Sequence, residues 1–228
     1  MNIIGLQPTR GTIFTKTQVA FEQEMLQNGQ LPYMLRTDNQ PLPDCRNNLA
    51  VQGLKTKATH FLLLDDDVIM PIGGLERLIK ADTDIAFIDY PMHYEGTRWG
   101  NMGTATYDEW LPGDSPEGKP VKWAGLGCAL VKREVFEAMD KPFQLLGQAF
   151  RRDDKGKMIL ETTDLDLGGG GEDAYFFIEA QKLGFKVKQV EGVCGHARFS
   201  RVVGAFNEGK YNTTHKIVVN NVVEKPNR

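Results

Sequence analysis

Apolar and polar positions along this chain fall into two kinds of block. The first is a short, unbroken apolar run. "NIIGL" (2–6) ends at Gln7-Pro8, and "PYMLRTD" (32–38), "HFLLLDDD" (60–67) and "DIAFIDYP" (84–91) follow it. Runs of this length, bounded by turn residues, predict buried strands. The second kind has helical spacing. "TKTQVAFEQEMLQNG" puts Phe14, Phe21 and Met25 on one face and stops at Asn28-Gly29. "PLPDCRNNLAVQGLKT" reads as a loop entering a helix with Asp44 as its N-cap, and "GGLERLIKA" as a third helix. Strands alternating with helices predict a parallel, doubly wound sheet, in which ligands sit beyond the carboxyl ends of the strands.

Between His93 and Lys122 the pattern dissolves into Gly, Pro, Trp and Asp, longer than a connector needs, which predicts a binding loop or a small antiparallel excursion. "VKWAGLGCALV" (121–131) returns to strand and "KREVFEAM" to helix, while "AFRRDDKGKMIL" predicts a hairpin turning at Asp154–Gly156. The glycine-rich "TTDLDLGGGGED" leads into a helix over 172–184, and "KVKQVEGV" is a further strand running into "CGHARFS". No internal repeat is visible. "HKIVVNNVV" near the end predicts an edge strand or an arm docking on a partner.

Composition narrows the picture modestly. With 228 residues, 41% hydrophobic and 25% charged, the chain fits one soluble globular domain, with room for an elaborated insert. The formal net charge is −3 and no basic run stands out, which argues against an extended nucleic-acid face but leaves local contact open. Cys45, Cys128 and Cys194 form neither a metal-ligand pattern nor a disulfide framework, pointing to a reducing compartment. "MNIIGLQPTRG" lacks the charge and apolar length of a signal peptide, and no run approaches a membrane span, so a cytoplasmic location is expected.

Three places carry candidate chemistry. Asp65, Asp66 and Asp67 end an apolar strand, and adjacent carboxylates repel unless a cation or donors offset them. An i, i+2 pair at a strand end suits Mg²⁺ or Mn²⁺, with open positions for phosphate oxygens. A solvated turn or a cap is the commoner meaning of acids in a loop, but three acids behind Phe61–Leu64 exceed what a cap needs. Next, Glu172 and Asp173 open a helix behind four consecutive glycines. Acids there favour the macrodipole, but a plain cap does not require so costly a glycine run, which lets a ligand approach the backbone. Third, His196 follows a strand end beside Gly195 and Ala197. A lone histidine is more often structural. With Asp67 it completes a mixed oxygen–nitrogen set compatible with Mn²⁺.

"LLLDDD", then "WAGLGCALVKREVF", "GGGEDAYFFIEAQKLGFKV" and "GH", in that order, resemble the nucleotide-sugar-dependent glycosyltransferases of the GT-A fold. The N-terminal layout is similar to the broad inverting family 2, and "GGGED" with His196 to the galactosyltransferase and polypeptide N-acetylgalactosaminyltransferase branches. The resemblance implies a GT-A-like (Rossmann-like), doubly wound mixed sheet in a single domain over residues 1–206, with 207–228 as a tail or docking arm. It implies a metal-dependent transfer of a sugar from a nucleoside-diphosphate donor to a hydroxyl acceptor. Asp67 would bind Mn²⁺ or Mg²⁺ with His196 as a further ligand, and Asp65 would share the metal or touch the ribose. Pro8, Thr9, Arg10, Asp38 and Asp66 would lie against the nucleotide sugar, and Arg46 would reach the nucleotide. Gly125 through Gly127 would line the sugar and acceptor pocket. Asp173 would be the base of an inverting reaction, with Glu172 holding acceptor or sugar. Its place at a helix start favours the ionised carboxylate at neutral pH, while nearby Glu172 pushes its pKa back up.

The chain departs from those branches where an aromatic residue should precede the glycines, since Gly168 and Gly169 stand there. Trp99, Trp110 or Trp123 offers a stacking face instead, although ordinary packing is the commoner use of any one of them. The acceptor is open between a glycan, a protein, a small molecule and modified DNA, and no membrane is involved. Two readings compete. A phosphatase of the haloacid dehalogenase type also uses D-x-D at a strand end, but the threonine expected soon afterwards is missing. A non-catalytic sugar- or nucleotide-binding module would keep the metal site and dispense with Asp173.

Overall fold

The computed structural model describes residues 1–9, 11–38, 40–90, 106–107, 121–145, 148–152, 158–162, 171–201 and 215–219. In chain order these form β1 (Ile3–Thr9), α1 (Thr15–Gln27), β2 (Met34–Asp38), α2 (Leu42–Leu54), β3 (His60–Leu64), β4 (Val68–Ile69) and α3 (Gly74–Lys80). Next come β5 (Ile85–Asp89), β6 (Thr106–Tyr107), β7 (Val121–Trp123), β8 (Cys128–Lys132) and α4 (Arg133–Glu137). The rest are β9 (Gln148–Arg152), β10 (Met158–Thr162), α5 (Glu172–Lys182), β11 (Val187–Val193), β12 (Gly195–Arg201) and β13 (His215–Val219).

Six strands form the central sheet in the order β11-β5-β8-β3-β1-β2. Side chains alternate across it. Phe61 and Leu63 of β3 enter one core with Leu49 of α2, Phe136 of α4 and Phe176 of α5. Leu62 and Leu64 enter the other, with Phe21 and Met25 of α1 and Leu75 of α3. Because both faces are covered, β3 reads as a continuous apolar run, and each of its buried Leu or Phe side chains contributes about 1.5–3 kcal/mol.

The sheet is mixed. β1 runs parallel to β2 and β3, and β5 parallel to β11, but β8 is antiparallel to both β3 and β5. Strand–helix alternation alone predicts a parallel sheet, and β8 corrects it. An apolar run packs equally well in either direction. Between β5 and β8 lies the His93–Lys122 stretch that the sequence leaves unpatterned, most of it outside the described residues. The predicted strand over 121–131 is divided, β7 ending at Trp123 and β8 starting at Cys128. The expected hairpin is β9 paired antiparallel with β10, its turn lying outside the described residues. β13, within 207–228, pairs antiparallel along β12, and β12 continues onto β4.

Helix ends follow local chemistry, with two surprises. Gly29 takes a φ of 66°, which glycine adopts readily, just past the end of α1. Asp44 is not the N-cap of α2. That helix starts two residues earlier, behind Pro41, and Asp44 lies in its first turn. α3 has no side-chain cap of its own. Glu24 of α1, 3% exposed, accepts hydrogen bonds from the backbone N–H groups of Gly73 (2.7 Å) and Leu75 (3.0 Å) instead. Among the described residues no helix is long and apolar enough to cross a membrane.

Candidate functional site

The three aspartates leave β3 at its carboxyl end, and their backbone ties three other elements to that point. Asp65 N–H donates to the carbonyl of Gly127 (3.1 Å), Phe14 N–H to that of Asp66 (3.2 Å), and Ala197 N–H to that of Asp67 (2.7 Å). β4 follows at once and pairs with β12, setting His196 opposite Val68. This pairing brings His196 Nε2 to 3.4 Å from Asp67 Oδ2, although 129 residues separate them (196 minus 67). The ring of Tyr90, just past β5, meets the imidazole edge-on with centroids 5.4 Å apart. Gly127 closes the other side: a Cβ there would lie 2.7 Å from Tyr90 Cε1 and 2.9 Å from Val68 Cγ2, so only glycine fits without a shift.

The second part of the site is held by Arg46 of α2, whose side chain is 1% exposed. Its Nη2 donates to Asp65 Oδ1 at 2.9 Å and its Nε to Glu172 Oε1 at 3.3 Å, and Asp173 Oδ1 lies 3.6 Å from Nη2. Asp173 Oδ2 accepts from the backbone N–H of Leu126 at 3.3 Å. One guanidinium therefore joins the end of β3 to the first turn of α5. Burial works against the charge on Arg46, yet Asp65, Asp173 and Glu172 outweigh it and hold the guanidinium more firmly protonated than usual. Burial raises the Asp65 carboxyl despite the opposing pull of Arg46, and Asp67 adds to the rise. Burial is also the main cause that lifts Asp173 to about 8; Arg46 opposes it, while Glu172 and Asp65 reinforce it. The helix start that favours an ionised Asp173 in the sequence reading is outweighed by desolvation.

A cleft of about 880 Å³ opens at the carboxyl ends of β1 and β3. Pro8 and Thr9 line it, as do Asp65, Asp66, Asp67 and His196. Gln40, Leu42 and Cys45 form another part of its wall. Asp38 ends β2 in register with Thr9, its side chain outside the described residues, as is Arg10 altogether. Arg46 engages protein carboxylates. Gly125 lies buried in the loop between β7 and β8, beside the Leu126 amide that binds Asp173. Trp123 is partly buried against the core, while Trp99 and Trp110 lie outside the described residues. The sequence reading missed Tyr90, whose only signal is an aromatic residue just past a strand end, and the ion-pair role of Arg46.

The donor set suits a hard or borderline divalent ion: one carboxylate and one imidazole from Asp67 and His196, both lining the cleft. Among the described residues no group of three or more His, Cys, Asp or Glu side chains converges in metal-ligand fashion. Two protein ligands fit an ion that takes its remaining ligands from substrate oxygens and water, as Mg²⁺ commonly does.

No protein-family model and no curated protein sequence matches the chain. Among solved structures, A197 from STIV superposes with a TM-score of 0.55 at 19% identity, covering 86% of this chain and 85% of its own. That likeness is one of fold. A glycosyltransferase involved in the glycosylation of the major capsid of PBCV-1 gives 0.35 at 18% identity, over 60% of this chain and 63% of that one. S. aureus TarS gives 0.44 at 12%, over 83% and 35%. At these TM-scores the two likenesses carry no argument about function.

Proposed function

We propose that this chain is a GT-A-like glycosyltransferase that moves a sugar from a nucleoside-diphosphate donor to a hydroxyl acceptor, with a divalent metal and with inversion. The observation that carries this reading is the convergence, through Arg46, of Asp65 at the end of β3 with the acids that open α5, where Asp65 also lines, with Asp67 and His196, a cleft of about 880 Å³. Supporting it are the order of motifs in the sequence and the position of the cleft at strand carboxyl ends, where α/β sheets bind ligands.

In this mechanism Asp67 and His196 would hold Mn²⁺ or Mg²⁺, and Pro8 and Thr9 would border the nucleotide. The ion, when bound, offsets the charge that builds on the departing diphosphate. Asp173 takes the proton of the acceptor hydroxyl as its oxygen bonds to the anomeric carbon, while the bond from that carbon to the diphosphate breaks and the diphosphate leaves with the electron pair. A carboxylate lifted to about 8 is a far better proton acceptor than one at its usual value, and general-base help of this kind is worth about 10²–10⁴-fold. Glu172, buried against Arg46, helps set the position of that base.

A thermal-shift panel of nucleotide sugars with and without Mn²⁺, followed by NMR of the product, tests the reading. Metal-dependent stabilisation by one donor class, and a product of opposite anomeric configuration, are expected. Hydrolysis of a simple phosphate ester without sugar transfer would favour the phosphatase, and donor binding without turnover the binding module.

A further inference from the structure

Arg46 touches the two halves of the site and is sealed from solvent. Residues 46, 65, 172 and 173 meet only in the fold, Arg46 and Glu172 being 126 positions apart. The guanidinium supplies both remote contacts: Nη2 fixes Asp65 at 2.9 Å, and Nε fixes Glu172 at 3.3 Å, one position before Asp173. Asp173 itself is held from its other side by the Leu126 amide, which belongs to the loop whose Gly127 carbonyl accepts from Asp65. Asp65, Arg46, Asp173 and the 126–127 loop thus close a ring of contacts, and Arg46 is its single cation.

We propose that Arg46 is a positioning residue: it sets the first turn of α5 against the end of β3, so that the carboxylate of Asp173 is held relative to a donor anchored at Asp65–Asp67. The proposal rests on the reading of Asp173 as base. A planar fork with fixed N–H directions reaches several carboxylates at once, whereas an ammonium is a point charge that reaches fewer. Arg46 therefore acts through Asp173 and Asp65, and touches neither sugar nor nucleotide.

The Leu126 amide reports the position of Asp173 without any ligand. In Arg46→Lys, NMR hydrogen exchange at Leu126 should quicken about tenfold while the β3 amides of Leu62 and Leu63 keep their wild-type rates. Asp65→Ala, which removes the acceptor of the 2.9 Å anchor of Arg46, should quicken Leu126 exchange in the same direction; it serves if the lysine variant does not fold. In turnover, Arg46→Lys should lower kcat about tenfold with donor KM near wild type, and add little in an Asp173→Asn background, as expected for residues acting as one unit. Unchanged Leu126 exchange in both variants overturns the proposal. So does equal quickening at Leu62, Leu63 and Leu126, which marks a merely structural role. Loss of Mn²⁺-dependent UDP and GDP binding in Arg46→Lys with Leu126 unchanged would make Arg46 a nucleotide contact instead. If wild type neither binds UDP or GDP with Mn²⁺ nor transfers sugar, the proposed function fails, while the exchange result still decides whether Arg46 positions Asp173.

Discussion

The acids at the end of β3 and the acids at the start of α5 share one guanidinium, yet they are held by different means. Asp65 to Asp67 are placed by backbone: their N–H and C=O groups bond to the 126–127 loop, the α1 entrance and β12, and strand pairing carries His196 to Asp67. Among the described residues, Asp173 is met by the Leu126 amide and by the Arg46 guanidinium 3.6 Å away. Main-chain pairing lets the proposed cation-binding end tolerate local change. The proposed base, its proton affinity set by burial and neighbours, is more easily disturbed.

The largest expected effect tests the α5 side. Asp173→Asn should lower kcat by about 10²–10⁴-fold while metal-dependent donor binding stays near wild type, and the product should carry inverted configuration by NMR. Retained configuration or normal turnover would remove the base assignment. On the β3 side, Asp67→Asn should weaken nucleoside-diphosphate binding only when metal is present, measured by calorimetry with and without a chelator. His196→Ala should weaken it less, because imidazole supplies a coordinate bond without neutralising charge. Equal weakening without metal would show that Asp67 is not a ligand.

A third test works between the halves. Gly127→Ala places a methyl group against Tyr90 and Val68, which should cost about 1–3 kcal/mol of stability in denaturant unfolding and lower activity, since the loop also carries the Leu126 amide. A fourth test is the pH dependence. Asp173 keeps its proton up to about 8 in the folded chain, whereas the unfolded chain releases it near the ordinary carboxylate value of 3.8. The folded state therefore binds more protons through that window, and the contribution of Asp173 to stability declines as pH climbs from about 4 through 8. Turnover should move the opposite way, rising through about 8 as the base ionises. Asp173→Asn should flatten the stability slope. A slope that survives it belongs to other groups.

How much of this was legible depended on how local each feature is. The end of β3 was legible because a buried strand shows as an unbroken apolar run, and acids abutting it have nowhere to go but a strand end. The Asp67–His196 approach was suspected from residue types, but its distance comes from β4 pairing with β12, and β4 is only two residues long. The direction of β8 was hidden because "CALVK" packs the same either way. From the sequence alone Arg46 reaches outward to a nucleotide, since nothing near it in the chain announces the carboxylates it meets. The proton affinity of Asp173 was misjudged for a related reason: a helix start is visible in sequence, and the burial that overrides it is not.

Glu24 has a consequence for the order in which the chain acquires its shape. α3 spans only seven residues and opens at a glycine with no cap of its own, too short to persist in isolation. Its first N–H groups wait for a carboxylate that lies 49 and 51 positions earlier and becomes available only once α1 has packed on the sheet. The third helix is therefore expected to form late in folding, coupled to the docking of the first. Kinetic analysis of substitutions at exposed α3 positions such as Glu76 and Lys80 should place their interactions after the main barrier, so that they speed unfolding and leave the folding rate almost unchanged.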